Sequence, residues 1–239
     1  MKSLKEALLN RPKNVDVANV ATEVIEEYIN ANYTTRGKLT FEPANGIYIV
    51  NCEGGVEVKN KNIVKLTDGF VWGEVKRDFR CAYCKNLISL EGAPKKVGNN
   101  FSCYNCTNLE SLEGAPEKVS GYFTCEFCIN LKSLEWSPKE VGREFYCANC
   151  NELKSLKGVP KEVSGFYCYS CANLESLEGA PEKVRRDFNC RWCDKLESLK
   201  GAPKKVGGLF DCTNCPSLKS LDGAPKRVKE IKCDERLKE

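Results

Sequence analysis

The sequence predicts an α+β repeat protein, a solenoid in which each repeat contributes one strand to a parallel sheet. A motif of the form F-x-C-x-x-C recurs seven times at a spacing of 21 or 22 residues. A proline follows every copy at the same distance from its phenylalanine. Stacked repeats need such a common phase, whereas independent metal sites do not. The phenylalanines are Phe79, Phe101, Phe123, Phe145, Phe166, Phe188 and Phe210.

The residues before the repeats, 1–75, are expected to form an N-terminal cap of one helix and several strands. Residues 1 to about 35 carry apolar side chains at helical spacing, and Asn14 or Asp16 offers an N-cap oxygen. Such a helix would cover the first strands of the solenoid, whose ends otherwise expose the core. The apolar residues at this spacing are Val17, Val20, Ala21, Val24 and Tyr28.

Between this helix and the first full repeat the pattern changes to strands. Residues 38–59 alternate and are rich in β-branched side chains, with A-N-G and E-G-G as turn signals. Phe70 and Trp72 lie in an insertion, after which Val75 restores the phase of the repeats. A degenerate repeat is expected just before this insertion, carried by Val56, Val58, Ile63 and Leu66.

The repeats themselves share the frame F-x-C-x-x-C-x-x-L-x-S-L-x-G-A-P-x-x-V and are assigned to residues 76–230. The phenylalanine and the first cysteine lie two apart in a strand and therefore point to one face. The proline, which has no amide donor, favours an irregular or short helical return segment. Residues 231–239 are expected to form a C-terminal cap strand and tail, with Leu237 as the last core contact.

The join from Val163 to Leu174 fits L-x-x-L-x-L-x-x-C-x-x-L with apolar exchanges, and it resembles the leucine-rich repeat. The S-L-E-G-A-P phrase is similar to short repeats of this kind common in bacteriophage and bacterial open reading frames. The resemblance covers about residues 79–237 and implies a leucine-rich-repeat-like solenoid, but no particular activity. The 22-residue copies have one extra residue before the phenylalanine, which a small bulge or wider turn would absorb.

The paired cysteines have a structural and a metal-binding interpretation. Two C-x-x-C pairs 18 residues apart fall within the spacing of a four-cysteine zinc site. Seven pairs, however, leave a remainder when they are divided into such sites, and buried cysteine is a common small core residue. We favour core packing and expect no cofactor, with redox use or a disulfide ladder as further possibilities. The cysteines that zinc would require are Cys81, Cys84, Cys103, Cys106, Cys125, Cys128, Cys147, Cys150, Cys168, Cys171, Cys190, Cys193, Cys212 and Cys215.

Composition narrows the possible functions. The chain has no histidine, which removes imidazole-based catalysis and histidine metal sites, and no nucleophile motif or phosphate loop is present, so we expect no enzyme. A net charge of +4, evenly spread, does not predict nucleic-acid binding. No stretch has the roughly 20 apolar residues of a membrane helix or a signal-peptide core. We therefore expect no membrane association and a cytoplasmic location in a bacterial or phage-infected cell.

The variable positions beside the first cysteine are the candidate binding site. Tyrosine, tryptophan and arginine are frequent there, as in interface hot spots. Aromatic residues on strands also satisfy β-propensity and cross-strand packing, so a purely structural role is the alternative. We expect a non-enzymatic interaction module that binds a protein partner through an aromatic-rich concave sheet face. The candidate residues are Tyr83, Tyr104, Phe127, Tyr146, Tyr167, Tyr169, Arg191 and Trp192.

Trp136 departs from the repeat pattern outside the candidate binding site. It replaces the usual glycine in the third copy, where E-W-S-P stands in place of E-G-A-P. It would either mark a second contact on the outer side or fill a gap.

Overall fold

The computed structural model describes residues 17–238, with side chains from residue 21. It shows a solenoid of parallel strands with repeats of about 22 residues, preceded by one helix, which confirms the predicted fold class. The proposed N-cap residues Asn14 and Asp16 lie outside the described part of the chain.

The N-terminal helix, α1, spans Val17–Asn32. Its buried face consists of Ala21, Ile25 and Ile29, which lie four residues apart and therefore on one side of the helix. The predicted helix is thus present within the described residues, and of the predicted apolar residues Ala21 is buried while Val24 and Tyr28 are half-buried. The side chains of Val17 and Val20 lie outside the described part of the chain. Among the described residues, no helix is both long and apolar enough to span a bilayer.

The strands that follow α1 close the N-terminal end of the solenoid. β1 pairs antiparallel with β4, while β2 and β3 form a hairpin with Asn45 and Gly46 in its turn. β4 pairs in parallel with the first full repeat and places Val56 opposite Phe79, so the degenerate repeat is confirmed. The bounds are β1 (Tyr33–Thr35), β2 (Leu39–Ala44), β3 (Ile47–Cys52), β4 (Val56–Val58) and β5 (Phe70–Val75).

Each following repeat contributes a short strand at its valine and another at its phenylalanine. The bounds are β6 (Phe79–Arg80), β7 (Lys96–Val97), β8 (Phe101–Ser102), β9 (Lys118–Val119), β10 (Phe123–Thr124), β11 (Glu140–Val141), β12 (Glu144–Tyr146), β13 (Glu162–Val163), β14 (Gly165–Tyr167), β15 (Lys183–Val184), β16 (Phe188–Asn189), β17 (Lys205–Asp211) and β18 (Arg227–Lys232).

These strands lie in two parallel columns. The phenylalanine column runs β4-β6-β8-β10-β12-β14-β16-β17 and gives the predicted sheet with one strand per repeat. The valine column is an addition that the sequence did not predict, and its pairing is interrupted between β11 and β13. β17 is long enough to belong to both columns, because it runs from Lys205 to Asp211 without a break.

The core is a ladder of phenylalanine rings. The seven rings are fully buried, and neighbouring centroids lie 5.1 to 5.6 Å apart. At the N-terminal end the edge of Trp72 meets Phe79 at 6.1 Å, and Tyr33 meets Trp72 at 5.3 Å. Both contacts are T-shaped, so the stacked ladder ends on an aromatic cluster supplied by the cap.

The return segments are irregular, as predicted, and residues 81–204 contain no helix. Each L-E-G-A unit forms a turn, for example with the Ala115 amide donating to the Leu112 carbonyl at 2.9 Å. Its glycine has a positive φ, +84° at Gly114, as the third position of a type II turn requires. Trp136 takes this position at φ 42° and leaves 64% of its surface exposed.

In three of the 22-residue joins, the residue before the phenylalanine donates its amide to a side chain of the preceding repeat. Asp78 Oδ1 accepts the amide of Asn100 at 3.1 Å, and Asn100 Oδ1 accepts the amide of Tyr122 at 3.0 Å. In the 21-residue join the equivalent residue is Gly165, which continues strand β14 and lies opposite Glu144. A local turn therefore absorbs the length difference without a change in ring stacking.

The C-terminal end is closed by the last strand and a short 3-10 helix, Glu235–Leu237. Cys233 and Leu237 are buried there. The Arg236 guanidinium donates to the carbonyls of Leu218 at 2.6 Å and Cys215 at 2.7 Å. These bonds satisfy carbonyl groups of the last repeat that would otherwise face solvent.

Replacing a central ring should destabilise the stack. Phe145 lies between Phe123 and Phe166, so Phe145→Ala removes two ring contacts and leaves a cavity. We expect a loss of about 3–5 kcal/mol in the free energy of unfolding, measured by urea denaturation. Ile88→Ala, at an exposed site, should change it by less than about 0.5 kcal/mol. Equal effects of the two substitutions would contradict the ring ladder.

Candidate functional site

The residue before the second cysteine of each repeat has a left-handed backbone. In all seven copies φ at this position lies between 55° and 63°, and none of these residues is glycine. Three copies use asparagine here and one uses serine, side chains that suit turns. The remaining three carry large aromatic residues: Tyr83, Phe127 and Trp192.

Backbone conformation and exposure both count against large aromatic residues at these three positions. For a side chain other than glycine the left-handed conformation costs about 1–2 kcal/mol, and asparagine tolerates it best. Tyr83, Phe127 and Trp192 are exposed by 52%, 37% and 46%. They lie in turns and not in strands, so β-propensity does not account for them. For Tyr146 and Tyr167, which lie in β12 and β14, cross-strand stacking at 4.8 Å does account for their placement.

The structure groups the eight predicted residues into three neighbouring sets. Tyr104 contacts Tyr83 at 5.4 Å and Phe127 at 5.2 Å between ring centroids, which gives a row across three repeats. Tyr146 and Tyr167 form the stacked pair. The third set is Tyr169, Arg191 and Trp192.

Within the third set Arg191 lies over two rings. Its guanidinium carbon is 4.2 Å from the Trp192 ring centroid and 5.4 Å from that of Tyr169. The Tyr169 hydroxyl donates to Glu126 Oε1 at 3.1 Å, although the two residues lie 43 positions apart. Ala148, which is fully buried, occupies the same column in the intervening repeat, and its small side chain leaves room for this contact.

Two residues of this surface, Glu126 and Tyr122, were not among the predicted candidates. Glu126 follows the first cysteine of its repeat, in the same column as Tyr104 and Tyr169, so its column was a usable signal. Tyr122 contacts Tyr146 edge-on at 6.1 Å from the position before Phe123. We define the aromatic face as Tyr83, Tyr104, Tyr122, Glu126, Phe127, Tyr146, Tyr167, Tyr169, Arg191 and Trp192.

Burial shifts the titration of several groups on the aromatic face. It raises the pKa of the Glu126 carboxyl, against the opposing hydrogen bonds from Tyr169 and Thr124. Burial, aided by the Glu126 charge, raises the pKa of Tyr169 to about 12. Burial also raises the pKa of Tyr146 to about 12. Because their pKa values are raised, Tyr146 and Tyr169 are neutral at physiological pH.

The cysteines connect successive repeats through thiol hydrogen bonds. In each repeat after the first, the second thiol donates to the carbonyl of the first cysteine in the preceding repeat, with S···O distances of 3.1 to 3.3 Å. The accepting carbonyl lies just past the phenylalanine strand. The donors are Cys106, Cys128, Cys150, Cys171, Cys193 and Cys215.

This geometry does not favour the zinc interpretation. All 16 cysteines are buried free thiols, and within residues 17–238 no group of three or more possible ligands is placed to hold a metal ion. Burial raises the pKa of the Cys147 and Cys168 thiols well above the ordinary value, which opposes the thiolate form that zinc requires. The arrangement supports the packing role.

Comparison of the chain with protein-family models, with curated proteins and with solved structures found no match. The repeat architecture therefore rests on the structure, and the resemblance to leucine-rich repeats stays a prediction.

Replacing one of these cysteines by alanine should destabilise the fold by more than the small loss of side-chain volume implies, because a hydrogen-bond donor is lost as well. Cys171 donates to the Cys147 carbonyl at 3.2 Å, and Cys171→Ala leaves that buried acceptor without the thiol. We expect a loss of about 1–3 kcal/mol in the free energy of unfolding. Cys171→Ser keeps a donor and should recover part of the loss in urea denaturation. A serine variant no more stable than the alanine variant would contradict the bonding role.

Glu126→Gln should stabilise the fold at pH 7. Because the pKa of Glu126 is raised by folding, its ionised form is disfavoured in the folded state, and this penalty disappears as pH falls below the unfolded value. The difference between variant and wild type in thermal unfolding should therefore shrink from pH 7 to about pH 4.

Glu162 is the matched control, because its pKa is shifted in the opposite direction. The pKa of the exposed Glu162 is lowered by hydrogen bonds from Lys183 and Arg185, so Glu162→Gln should not stabilise the fold at pH 7. If Glu126→Gln also failed to stabilise the protein at pH 7, the argued burial of the carboxylate would be wrong.

Proposed function

We propose that the protein is a non-catalytic binding module that recognises a protein partner through the aromatic face. The observation that carries this proposal is the exposure of Tyr83, Phe127 and Trp192 at left-handed backbone positions. Backbone strain of this kind is frequent at functional sites. Tyrosine, tryptophan and arginine are also the residues that dominate interface energetics.

The rest of the surface supports a specific face and not a general charge interaction. Lysines of the return segments pair with glutamates of neighbouring repeats, for example Lys204 with Glu182 at 2.8 Å and Lys219 with Glu197 at 2.9 Å. Such pairs neutralise several of the lysines along the described return segments. A nucleic-acid partner, which would need unpaired basic groups along one surface, is therefore not favoured.

The proposal also includes a biological setting. The S-L-E-G-A-P resemblance supports a bacterial or phage-infected cell, and the reduced cysteines suit a cytoplasmic location.

Asparagine, the residue found at this position in three other copies, can replace the three strained aromatic residues. These substitutions distinguish an effect on partner binding from an effect on folding. The triple variant Tyr83→Asn, Phe127→Asn, Trp192→Asn should fold with equal or greater stability, because asparagine tolerates the left-handed backbone. Its capture of protein partners should fall at least about 10-fold. The measurement is affinity capture from cells with quantitative mass spectrometry, beside thermal unfolding of each variant.

Trp136→Gly is the matched control for this experiment. It also removes an exposed tryptophan from a left-handed position and restores the residue of the other copies, but it lies in a return segment. Partner capture should be retained. Partners recovered in equal amount by the wild type and the triple variant would refute the proposed face.

A further inference from the structure

A shallow depression lies within the aromatic face. It has a volume of about 400 Å³ and is lined by four tyrosines, Tyr83, Tyr104, Tyr122 and Tyr146, together with Glu126. Ser102 and Thr124, which are nearly fully buried, form its floor. The volume falls within the range of about 300–1,000 Å³ found for small-ligand sites.

Among the described side chains, residues 21–238, Glu126 is the only charged one that lines this depression. Its two oxygens are held in place, Oε1 by the Tyr169 hydroxyl at 3.1 Å and Oε2 by the Thr124 hydroxyl at 3.3 Å. Among residues 21–238, no lysine or arginine nitrogen lies within 4 Å of this carboxylate. By contrast Glu162, on another surface, is paired with both Lys183 and Arg185.

The walls of the depression suit a cation as well. The faces of aromatic rings attract ammonium and guanidinium groups, more strongly where water is excluded. The neighbouring set already shows this chemistry, since Arg191 lies 4.2 Å from the Trp192 ring centroid. A fixed carboxylate beside four tyrosine rings is therefore complementary to a positively charged side chain with an apolar stem.

We propose that this depression receives a lysine or arginine side chain presented by a basic segment of the protein partner. The inference rests on the proposed function, because it names the partner group that the aromatic face recognises. The side chain's stem would lie against Tyr104 and Tyr146, with its cationic head at Glu126. Association should weaken with added salt and with protonation of Glu126.

The probe for this inference is the peptide acetyl-Gly-Gly-Lys-Gly-Gly-amide, with its arginine and norleucine analogues. Binding to the full chain is followed by the ring NMR signals of carbon-13-labelled tyrosine. The lysine or arginine peptide should bind at least about 5-fold more tightly than the norleucine peptide, whose side chain has no charge. Shifts should be confined to the tyrosines that line the depression.

Two variants and one control test the residues involved. Glu126→Gln keeps the shape of the side chain and one of its two acceptor oxygens but removes the negative charge, so it should weaken binding of the cationic peptides at least about 5-fold. Tyr104→Leu removes one wall and should also weaken it. Glu110→Gln removes a carboxylate that is exposed and paired with Lys132, and it should leave binding unchanged. Thermal unfolding establishes that each variant is folded.

The outcomes separate this inference from the proposed function. Equal binding of the norleucine peptide, unchanged binding by Glu126→Gln, or no binding of either cationic peptide would each overturn the inference. If partner capture is lost in the triple asparagine variant but retained in Glu126→Gln, the proposed function stands and the cation site is wrong. If the cationic peptides bind but the triple variant still captures every partner, the cation site stands and the proposed face is wrong.

Discussion

The stacking of one phenylalanine ring on the next is the interaction on which the rest of the structure depends. Ring centroids lie 5.1 to 5.6 Å apart, close to the spacing of about 4.8 Å between neighbouring strands. Ring stacking, the strand ladder and the thiol bonds therefore share one translation per repeat. A copy out of register would lose all three at once, which accounts for the strict phase of the sequence and for the local turn that absorbs the extra residue.

Cysteine fits this translation because it meets two requirements in one small side chain. Packed beside the rings it behaves as a compact apolar group, and its thiol still donates a weak hydrogen bond. Cys106, for example, is fully buried and lies 3.1 Å from the Cys81 carbonyl oxygen. Serine would be more polar, and valine would offer no donor. Fourteen of the 16 cysteines thus follow from the seven repeats, while Cys52 and Cys233 lie outside the seven copies of the motif.

Much of the fold could be predicted because its signals are local and periodic. The spacing of Phe79 and its equivalents predicts the strands and the core, and the apolar spacing before residue 35 predicts α1. The buried face of that helix, carried by Ile25 and Ile29, depends on how the helix docks. Likewise, the contact between Tyr169 and Glu126 joins residues two repeats apart. Neither the buried face of α1 nor the Tyr169–Glu126 contact can be derived from the sequence of a single repeat.

The left-handed position before each second cysteine has a consequence for how this scaffold can diversify. Its backbone is set by the turn, and its side chain points away from the core, so tyrosine, phenylalanine, tryptophan, asparagine and serine all occupy it without altering the repeat. The seven positions form a row with one member per repeat, and neighbouring repeats are spaced by about 4.8 Å where their strands pair. The exposed side chains of this row can therefore change one repeat at a time, while the interior that sets the spacing stays constant.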